Sequence, residues 1–421
     1  MKIVRKKYLN EIEKWWNSNT KETLIVLGPF GVGKTTLIFD WAQSKKISYK
    51  YFAEKEYERI KEVFNKSNNN FFNFDLSLIN ESSSKTSIPN LIIFDGVKPG
   101  DELLVQIKDI CSKTNHKIVI ISDFDEYVFK DLRFIPIGSF KKINVKPLSF
   151  KEFCSIKISD FAFKAVITSF NLDKQENIYL SDQFEELWKL YSEFGGLPNV
   201  TSILFDKGKN KAKEELKKTK EKLFNFLKAN FKDSMNYISI LENFVSSISS
   251  NYHRVVLSKL FDISRKTKLL KEINVLISIG LFYKVDIIDE EEKSDNFSLY
   301  FFDNGLEKEL NNYTDRKFVL ETIICSHIKL NSIVPVRIVS NRQTIFDFSW
   351  ANEKEVFLKI KLTSKMCGKC FDDIKFLEGN HFDSYLRLLL VDNGLRNLIK
   401  KDNIIVCPIW LSLLEIDRWF I

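Results

Sequence analysis

The chain has 421 residues, and its 64 Lys and Arg against 56 Asp and Glu give a formal net charge of +8. This length suffices for about three domains of ~150 residues and excludes a small scaffold that needs disulfides or metals to hold its core. No apolar run approaches the ~20 residues of a membrane-spanning helix, and residues 1–7 have no apolar signal core, so we expect a cytoplasmic protein with no membrane partner.

The first predicted elements flank residues 28–35, which match the pattern G-x-x-x-x-G-K-[ST] in full. The apolar run 24–27 predicts a strand and residues 36–41 predict a helix, which is the context that identifies a phosphate-binding loop. Glycines let backbone N–H groups surround the phosphates, Lys34 reaches the β- and γ-phosphates, and the Thr35 hydroxyl ligates Mg²⁺. The sequence therefore predicts a site for ATP and Mg²⁺ whose nucleotide-binding residues are Gly28, Pro29, Phe30, Gly31, Val32, Gly33, Lys34, Thr35 and Thr36.

Residues 91–95 predict an apolar strand that ends in Asp95. A carboxylate at the carboxyl end of such a strand holds Mg²⁺ beside the phosphate loop, often through water, so we expect Asp95 to join Thr35 as a metal ligand. The alternative is a buried strand that happens to stop at an Asp-Gly turn. Position 96 is Gly, where many ATPases of this type place the Glu that orients water, and hydrolysis is therefore slow or uses another carboxylate.

The next predicted strand, 117–121, runs into Ser122 and Asp123. Polar residues at this strand end commonly sense the γ-phosphate in P-loop ATPases with an additional strand, so both join Lys34 and Asp95 as catalytic candidates. A Ser-Asp pair is also an ordinary helix cap or turn, and the two interpretations stay open.

Two basic segments follow in the middle of the chain. Residues 207–232 predict a basic helix. Its Glu-Lys pairs indicate most simply a solvated face, with a surface that follows nucleic acid as the alternative. Residues 255–261 and 265–278 predict two short helices joined by a turn. The second carries four candidate contacts to DNA phosphates, Arg265, Lys266, Lys268 and Lys271. Since no Asn, Gln or Ser cluster opens it for base readout, a structural or nonspecific role is favoured over sequence-specific binding to double-stranded DNA.

Several segments in fixed order carry a resemblance to a known family: 5–9, 28–35, 147–153, Tyr191 with 195–198, 300–306, Glu321 and 406–410. The most distinctive is Pro-Leu-Ser-Phe-Lys-Glu-Phe at 147–153. The chain resembles prokaryotic AAA-type ATPases that have a winged helix and a C-terminal domain of unknown function related to PD-(D/E)xK nucleases. The resemblance implies an α/β fold with a parallel-sheet P-loop core at 1–155, a helical lid at 156–232, a winged helix at 233–290 and an α/β nuclease-like domain at 291–421.

Departures from that family pattern fall at catalytic positions. Phe30 and Ser139 stand where relatives have Arg, and Gly96 stands where they have an acidic residue. A missing Arg removes a planar, permanently charged donor for transition-state charge, and Lys141 or Arg133 substitutes only in part. An Arg supplied by another copy of the chain, in a homo-oligomer, is left open. The resemblance therefore implies a nucleotide binder first and a catalyst second.

The resemblance also implies a degenerate nuclease site. Asp347 and Lys361 match its core, with Glu321 as the acid from the upstream helix, but Lys359 stands where the second acid belongs. Because a cation repels the Mg²⁺ that such a site needs, we expect an inactive nuclease domain kept for binding or assembly.

The six cysteines suit a reducing compartment, and only Cys367 and Cys370 have the spacing of metal ligands. No second Cys-x-x-Cys pair accompanies them, so we expect no metal other than Mg²⁺.

Two functional hypotheses follow. The first is an ATPase whose Mg·ATP cycle drives domain movement, and the second is a nucleotide-binding switch or scaffold without useful turnover. A DNA-processing nuclease is a weaker third, which Lys359 disfavours.

Overall fold

The computed structural model describes residues 3–18, 20, 22–53, 56, 90–98, 116–124, 140–171, 178–248, 263–289, 297–310, 315–331, 337–340, 347–351, 355–363, 386–393, 399–401 and 404–414. The chain divides into two compact units. One comprises residues 2–146 with 278–280, and the other comprises 147–277 with 281–421. Residues 147–155, which the sequence assigned to the nucleotide-binding core, belong to the second unit.

The first unit is built on a parallel sheet of five strands in the order β2-β3-β4-β1-β5. Its elements are α1 (Lys6–Trp16), β1 (Thr23–Leu27), α2 (Lys34–Ser44), β2 (Tyr49–Phe52), β3 (Leu91–Asp95), β4 (Lys117–Ile121) and β5 (Phe140–Asn144). Every residue of β1 is buried, as expected for a central strand covered on both faces. The additional strand β4 lies between β1 and β3, so the ends of three strands meet beside the phosphate loop.

The helices of the second unit precede and flank a mixed sheet. They are α3 (Phe150–Cys154), α4 (Asp160–Asn171), α5 (Ile178–Phe194), α6 (Pro198–Lys207), α7 (Lys209–Asn230), α8 (Ser234–Ile248), α9 (Ile263–Ser278), α10 (Asn304–Leu310), α11 (Arg316–Asn331) and α12 (Ile409–Leu414). The predicted helix at 265–278 is observed as α9, whereas the predicted helix at 255–261 lies outside the described residues. No helix in the described ranges is long and apolar enough to span a bilayer.

The sheet of the second unit has eight strands in the order β12-β13-β11-β10-β9-β8-β6-β7. They are β6 (Phe282–Asp289), β7 (Phe297–Phe301), β8 (Arg337–Ser340), β9 (Phe348–Ala351), β10 (Glu355–Thr363), β11 (Leu386–Asn393), β12 (Ile399–Lys401) and β13 (Ile404–Pro408). β6 pairs antiparallel with β7 and parallel with β8. The predicted boundary at residue 290 therefore falls between two paired strands, of which β6 is joined by backbone hydrogen bonds to β8.

Two glycine-containing segments that are weak signals in the sequence meet in this unit. Asp303 accepts hydrogen bonds from the backbone N–H of Gly196 at 2.7 Å and of Leu306 at 2.9 Å. A Cβ added to Gly305 would lie 2.0 Å from the carbonyl oxygen of Phe194, so only glycine fits at this crossing. Burial raises the pKa of Asp303 to about 6 against these hydrogen bonds.

Helix α3, which contains most of the distinctive segment 147–153, is fixed at its first turn by two devices. Ser149 and Glu152 form a capping box, with hydrogen bonds of 3.1 and 3.0 Å between each side chain and the other's backbone N–H. The backbone N–H of Phe150 donates to Nε2 of His327 at 2.8 Å, and Nδ1 of His327 lies 2.8 Å from the carbonyl oxygen of Ile323. Because an N–H can only donate, Nε2 accepts and the proton is on Nδ1.

We expect His327→Phe to lower the free energy of unfolding by about 1–3 kcal/mol, because it keeps a ring against Tyr191 but leaves the buried N–H of Phe150 without an acceptor. Urea denaturation measures the difference. Lys329→Ala, on the same helix at a half-buried position, is the control and should change stability by less than about 0.5 kcal/mol. A His327→Phe protein as stable as the wild type would show that this hydrogen bond does not stabilise the unit.

Candidate nucleotide-binding site

The loop between β1 and α2 has a backbone that requires glycine at three positions. Their φ angles are 142° at Gly28, 81° at Gly31 and 85° at Gly33. A Cβ added to Gly28 would also lie 2.0 Å from the carbonyl oxygen of Val145. Gly33 is the N-cap of α2, so the free N–H groups of the first turn of that helix adjoin the loop. A glycine-lined loop at a helix N-terminus is suited to bind phosphate.

Lys34 is buried beneath this loop. Its Nζ donates hydrogen bonds to the carbonyl oxygens of Gly28 at 2.8 Å and Pro29 at 2.9 Å, and to Oδ1 of Asp123 at 2.6 Å. These three bonds use all three N–H donors of the ammonium group. The structure thus brings Asp123 to Lys34, although the two residues are far apart in the sequence.

Thr35 and Asp95, the predicted metal ligands, are in direct contact. The Thr35 hydroxyl donates to Oδ2 of Asp95 at 2.7 Å, and the Tyr51 hydroxyl donates to the same oxygen at 3.0 Å. Burial raises the pKa of Asp95 above its usual value, and the hydrogen bonds from Thr35 and Tyr51 oppose that shift. Tyr51 belongs to no motif in the sequence. The only signal for it was its place at the end of a strand neighbouring β3.

Ser122 and Asp123 have different surroundings despite being adjacent. The Ser122 side chain is buried, and its hydroxyl donates to the carbonyl oxygen of Val97 at 2.6 Å while its backbone N–H donates to Val26 at 3.0 Å. These contacts are those of a turn residue. Asp123 alone of the pair contacts the phosphate loop, so a role in sensing the γ-phosphate stays a prediction that the geometry supports for Asp123.

The backbone explains one departure from the family pattern, the glycine at position 96. Gly96 has φ 83°, a left-handed conformation that strains any side-chain-bearing residue, and its N–H donates to the carbonyl oxygen of Ile121 at 3.1 Å. A Glu at this position would need a different turn. Phe30 is half-buried in the loop and Lys141 is exposed on β5, while Ser139 and Arg133 lie outside the described residues.

The two predicted nuclease-like carboxyl groups, Glu321 and Asp347, both lie near Lys317, which belongs to no motif in the sequence. Nζ of Lys317 lies 2.9 Å from Oδ1 of Asp347 and 3.6 Å from Oε1 of Glu321. Burial, together with the nearby charge of Asp347, raises the pKa of Glu321 to about 8, and Lys317 opposes this shift. The i, i+4 spacing of Lys317 and Glu321 on α11 is the feature of the sequence that could have predicted this contact.

The two remaining lysines of this predicted site are on β10. Lys359 and Lys361 lie opposite Leu389 and Val391 of the parallel neighbour β11. In the described part of the chain, no three His, Cys, Asp or Glu side chains are placed to hold a metal ion together. Cys367 and Cys370 lie outside it.

The basic helices carry exposed charges, many of which have partners. On α9, Lys268 and Lys271 are exposed, and Nζ of Lys268 lies 3.9 Å from Glu272. Only the backbone of Arg265 and Lys266 is described. On α7, Lys residues pair with Glu at 2.8 to 3.7 Å, in the pairs Lys211–Glu214, Lys213–Glu193 and Lys222–Glu215. This pairing favours the solvated-face interpretation of α7.

Comparison with known proteins finds one matching family model and several distant structural likenesses. A family model described as an AAA domain matches residues 20–154. Similar solved structures include AMPPCP-bound DnaA from Aquifex aeolicus, the Aeropyrum pernix Orc1 protein in complex with DNA, and the S. cerevisiae Hsp104–ADP complex. The DnaA structure is 14% identical over 66% of this chain and 82% of its own, with a TM-score of 0.31. The Orc1 structure is 11% identical over 77% of this chain and 92% of its own, with a TM-score of 0.30. The Hsp104 structure is 16% identical over 70% of this chain and 58% of its own, with a TM-score of 0.29. No curated protein matches the chain.

TM-scores this low do not establish a shared architecture, so the assignment depends on the family match and on the observed sheet. The match runs from just before β1 to the end of α3 and includes the phosphate loop, Asp95 and Asp123. Residues 20–154 are therefore similar to an AAA domain, and they contain a phosphate loop at the edge of a parallel sheet of five strands.

Proposed function

We propose that this protein is an AAA-type ATPase that binds Mg·ATP at residues 28–36 and hydrolyses it slowly or under regulation, in a cycle coupled to domain movement. The observation that carries the proposal is that three side chains, two from the start of α2 and one from the end of β3, lie close together at the carboxyl end of the sheet. Lys34 is buried under the loop, Thr35 lies beside it, and Asp95 is 2.7 Å from the Thr35 hydroxyl.

The residues present fit the ligand. Mg²⁺ prefers oxygen ligands such as the Thr35 hydroxyl and the Asp95 carboxylate, and when bound it neutralises charge on the β- and γ-phosphate oxygens. The N–H groups at the start of α2 are suited to bind the phosphates. A Cβ at Gly28 or a side chain at Gly33 would change the backbone of this loop. A phosphate oxygen that binds Lys34 replaces one of its three present acceptors.

Water activation has a candidate in this arrangement. With glycine at position 96, Asp123 is the carboxylate that contacts Lys34, at 2.6 Å. We assign it the role of sensing the γ-phosphate and orienting the attacking water. An Arg from another copy of the chain in a homo-oligomer would supply the missing transition-state charge.

The alternative function is a nucleotide switch or scaffold without useful turnover, which the left-handed glycine at position 96 favours. In either case we propose that the nuclease-like domain is inactive, since the ammonium group of Lys317 lies between its two carboxylates and repels a divalent cation. Contacts to double-stranded DNA, by Lys268, Lys271 and their neighbours on α9, are proposed as nonspecific.

Two measurements on the purified full chain test the proposal: phosphate release from Mg·ATP, with and without double-stranded DNA, and the thermal shift on adding ATP. Release above background supports the ATPase, and stimulation by DNA supports the nonspecific DNA contacts. Thermal stabilisation by ATP without phosphate release supports the switch. Absence of both effects contradicts the nucleotide site.

A further inference from the structure

Tyr51 is placed at the predicted metal site by the pairing of β2 with β3. Tyr51 lies opposite Ile93, and Phe52 lies opposite Phe94, so the carboxyl end of β2 adjoins Asp95. Its hydroxyl donates to Oδ2 of Asp95 at 3.0 Å, the same oxygen that receives the Thr35 hydroxyl. Two hydroxyls from two different elements therefore hold one oxygen of this carboxylate.

The orientation of the Tyr51 ring is fixed by the helix that carries the phosphate loop residues. Phe39 of α2 contacts the ring edge to face, with centroids 4.9 Å apart and planes at 77°. Phe39 also contacts Tyr49, whose ring stacks on it with centroids 5.4 Å apart. Because α2 also carries Lys34 and Thr35, the tyrosine is positioned relative to the same rigid element as the phosphate-binding groups.

The hydrogen bonds from Tyr51 and Thr35 engage one oxygen of the Asp95 carboxylate. The other oxygen of the carboxylate, Oδ1, has no hydrogen bond to any described residue. Asp95 is thus oriented through Oδ2, and Oδ1 is the oxygen available to a cation or to its water shell.

We propose that Tyr51 is a positioning residue for Mg²⁺: its hydrogen bond holds the Asp95 carboxylate in the orientation in which it binds the ion. This inference extends the proposed ATP site and rests on it. Groups that orient a metal ligand typically change metal affinity or activity by about 10- to 100-fold when they are removed. Tyr51 acts through Asp95, so it should affect the metal more than the nucleotide.

The test compares Tyr51→Phe with Tyr49→Phe. Each change removes one phenolic oxygen from β2 and keeps the ring against Phe39. Tyr49 lies opposite Leu91, about 13 Å along the strand from Asp95, so it is a matched control. The affinity for Mn²⁺ is measured by electron paramagnetic resonance in the presence of AMPPCP, together with AMPPCP affinity in the absence of metal.

We expect Tyr51→Phe to bind Mn²⁺ about tenfold more weakly or worse, with metal-free AMPPCP affinity and melting temperature unchanged, and Tyr49→Phe to match the wild type. If turnover is present, saturating Mg²⁺ should restore kcat.

Equal Mn²⁺ affinity in Tyr51→Phe and wild type would overturn the inference and leave the ATP site standing. A wild type that binds no Mn²⁺ with AMPPCP would instead overturn the proposed function, and the role of Tyr51 with it.

Discussion

Lys34→Ala is expected to lower Mg·ATP turnover by about 100- to 1000-fold and to remove the thermal stabilisation by ATP. The substitution deletes a buried ammonium group that is fixed by two loop carbonyls and Asp123 before any phosphate arrives. Preorganised charges aimed at developing negative charge contribute about 2.7–4 kcal/mol each to transition-state stabilisation. The measurement is the initial rate of phosphate release, with the ATP-dependent shift in melting temperature beside it.

Lys45→Ala is the matched control, because Lys45 lies at the opposite end of α2. It forms an ion pair with Glu13 on the protein surface, at 2.8 Å. Its turnover should stay within twofold of the wild type, since an exposed ion pair contributes little. If Lys34→Ala retains more than a tenth of the wild-type rate, phosphate release occurs elsewhere or comes from a contaminant.

Glu321→Gln is expected to remove much of the loss of stability that the protein shows between pH 6 and pH 9. In the unfolded chain a Glu has released its proton by pH 6, whereas in the folded protein burial raises the pKa of Glu321 to about 8. The folded state therefore binds more protons in this window, and stability falls as the pH rises through it. Each pKa unit corresponds to about 1.4 kcal/mol, so Glu321 accounts for about 3 kcal/mol between pH 6 and pH 9.

Urea denaturation at half-unit pH steps measures this slope. Burial also raises the pKa of Glu307, so the unfolding free energy of the variant still falls with pH to some extent. The difference between variant and wild type therefore gives the contribution of Glu321. Glu214→Gln, at an exposed position on α7, should leave the slope unchanged. A Glu321→Gln protein that is strongly destabilised at pH 7 with an unaltered slope would show that Glu321 is ionised and pairs with Lys317.

Some features of the site were predictable because their signals are local. The spacing of Gly28, Gly33, Lys34 and Thr35 predicts the phosphate loop, because these residues are close in sequence and form one local structure. Asp95 was predictable from its position at a strand end. The separate contacts of Ser122 and Asp123 were not, because adjacent residues at a strand end point to opposite sides and their partners, Val97 and Lys34, come from other elements.

The sequence by itself determined the nucleotide loop, the strand that ends in Asp95, the additional strand β4 and the helix α9, because periodicity and short-range spacing specify local backbone structure. Only the tertiary structure decided which side chains meet. Tyr51 reaches Asp95 through strand pairing, Lys317 reaches Asp347 through packing of α11 against β10, and Asp303 meets Gly196 across more than a hundred residues. These contacts depend on sheet order and close backbone approach, which no short stretch of sequence encodes.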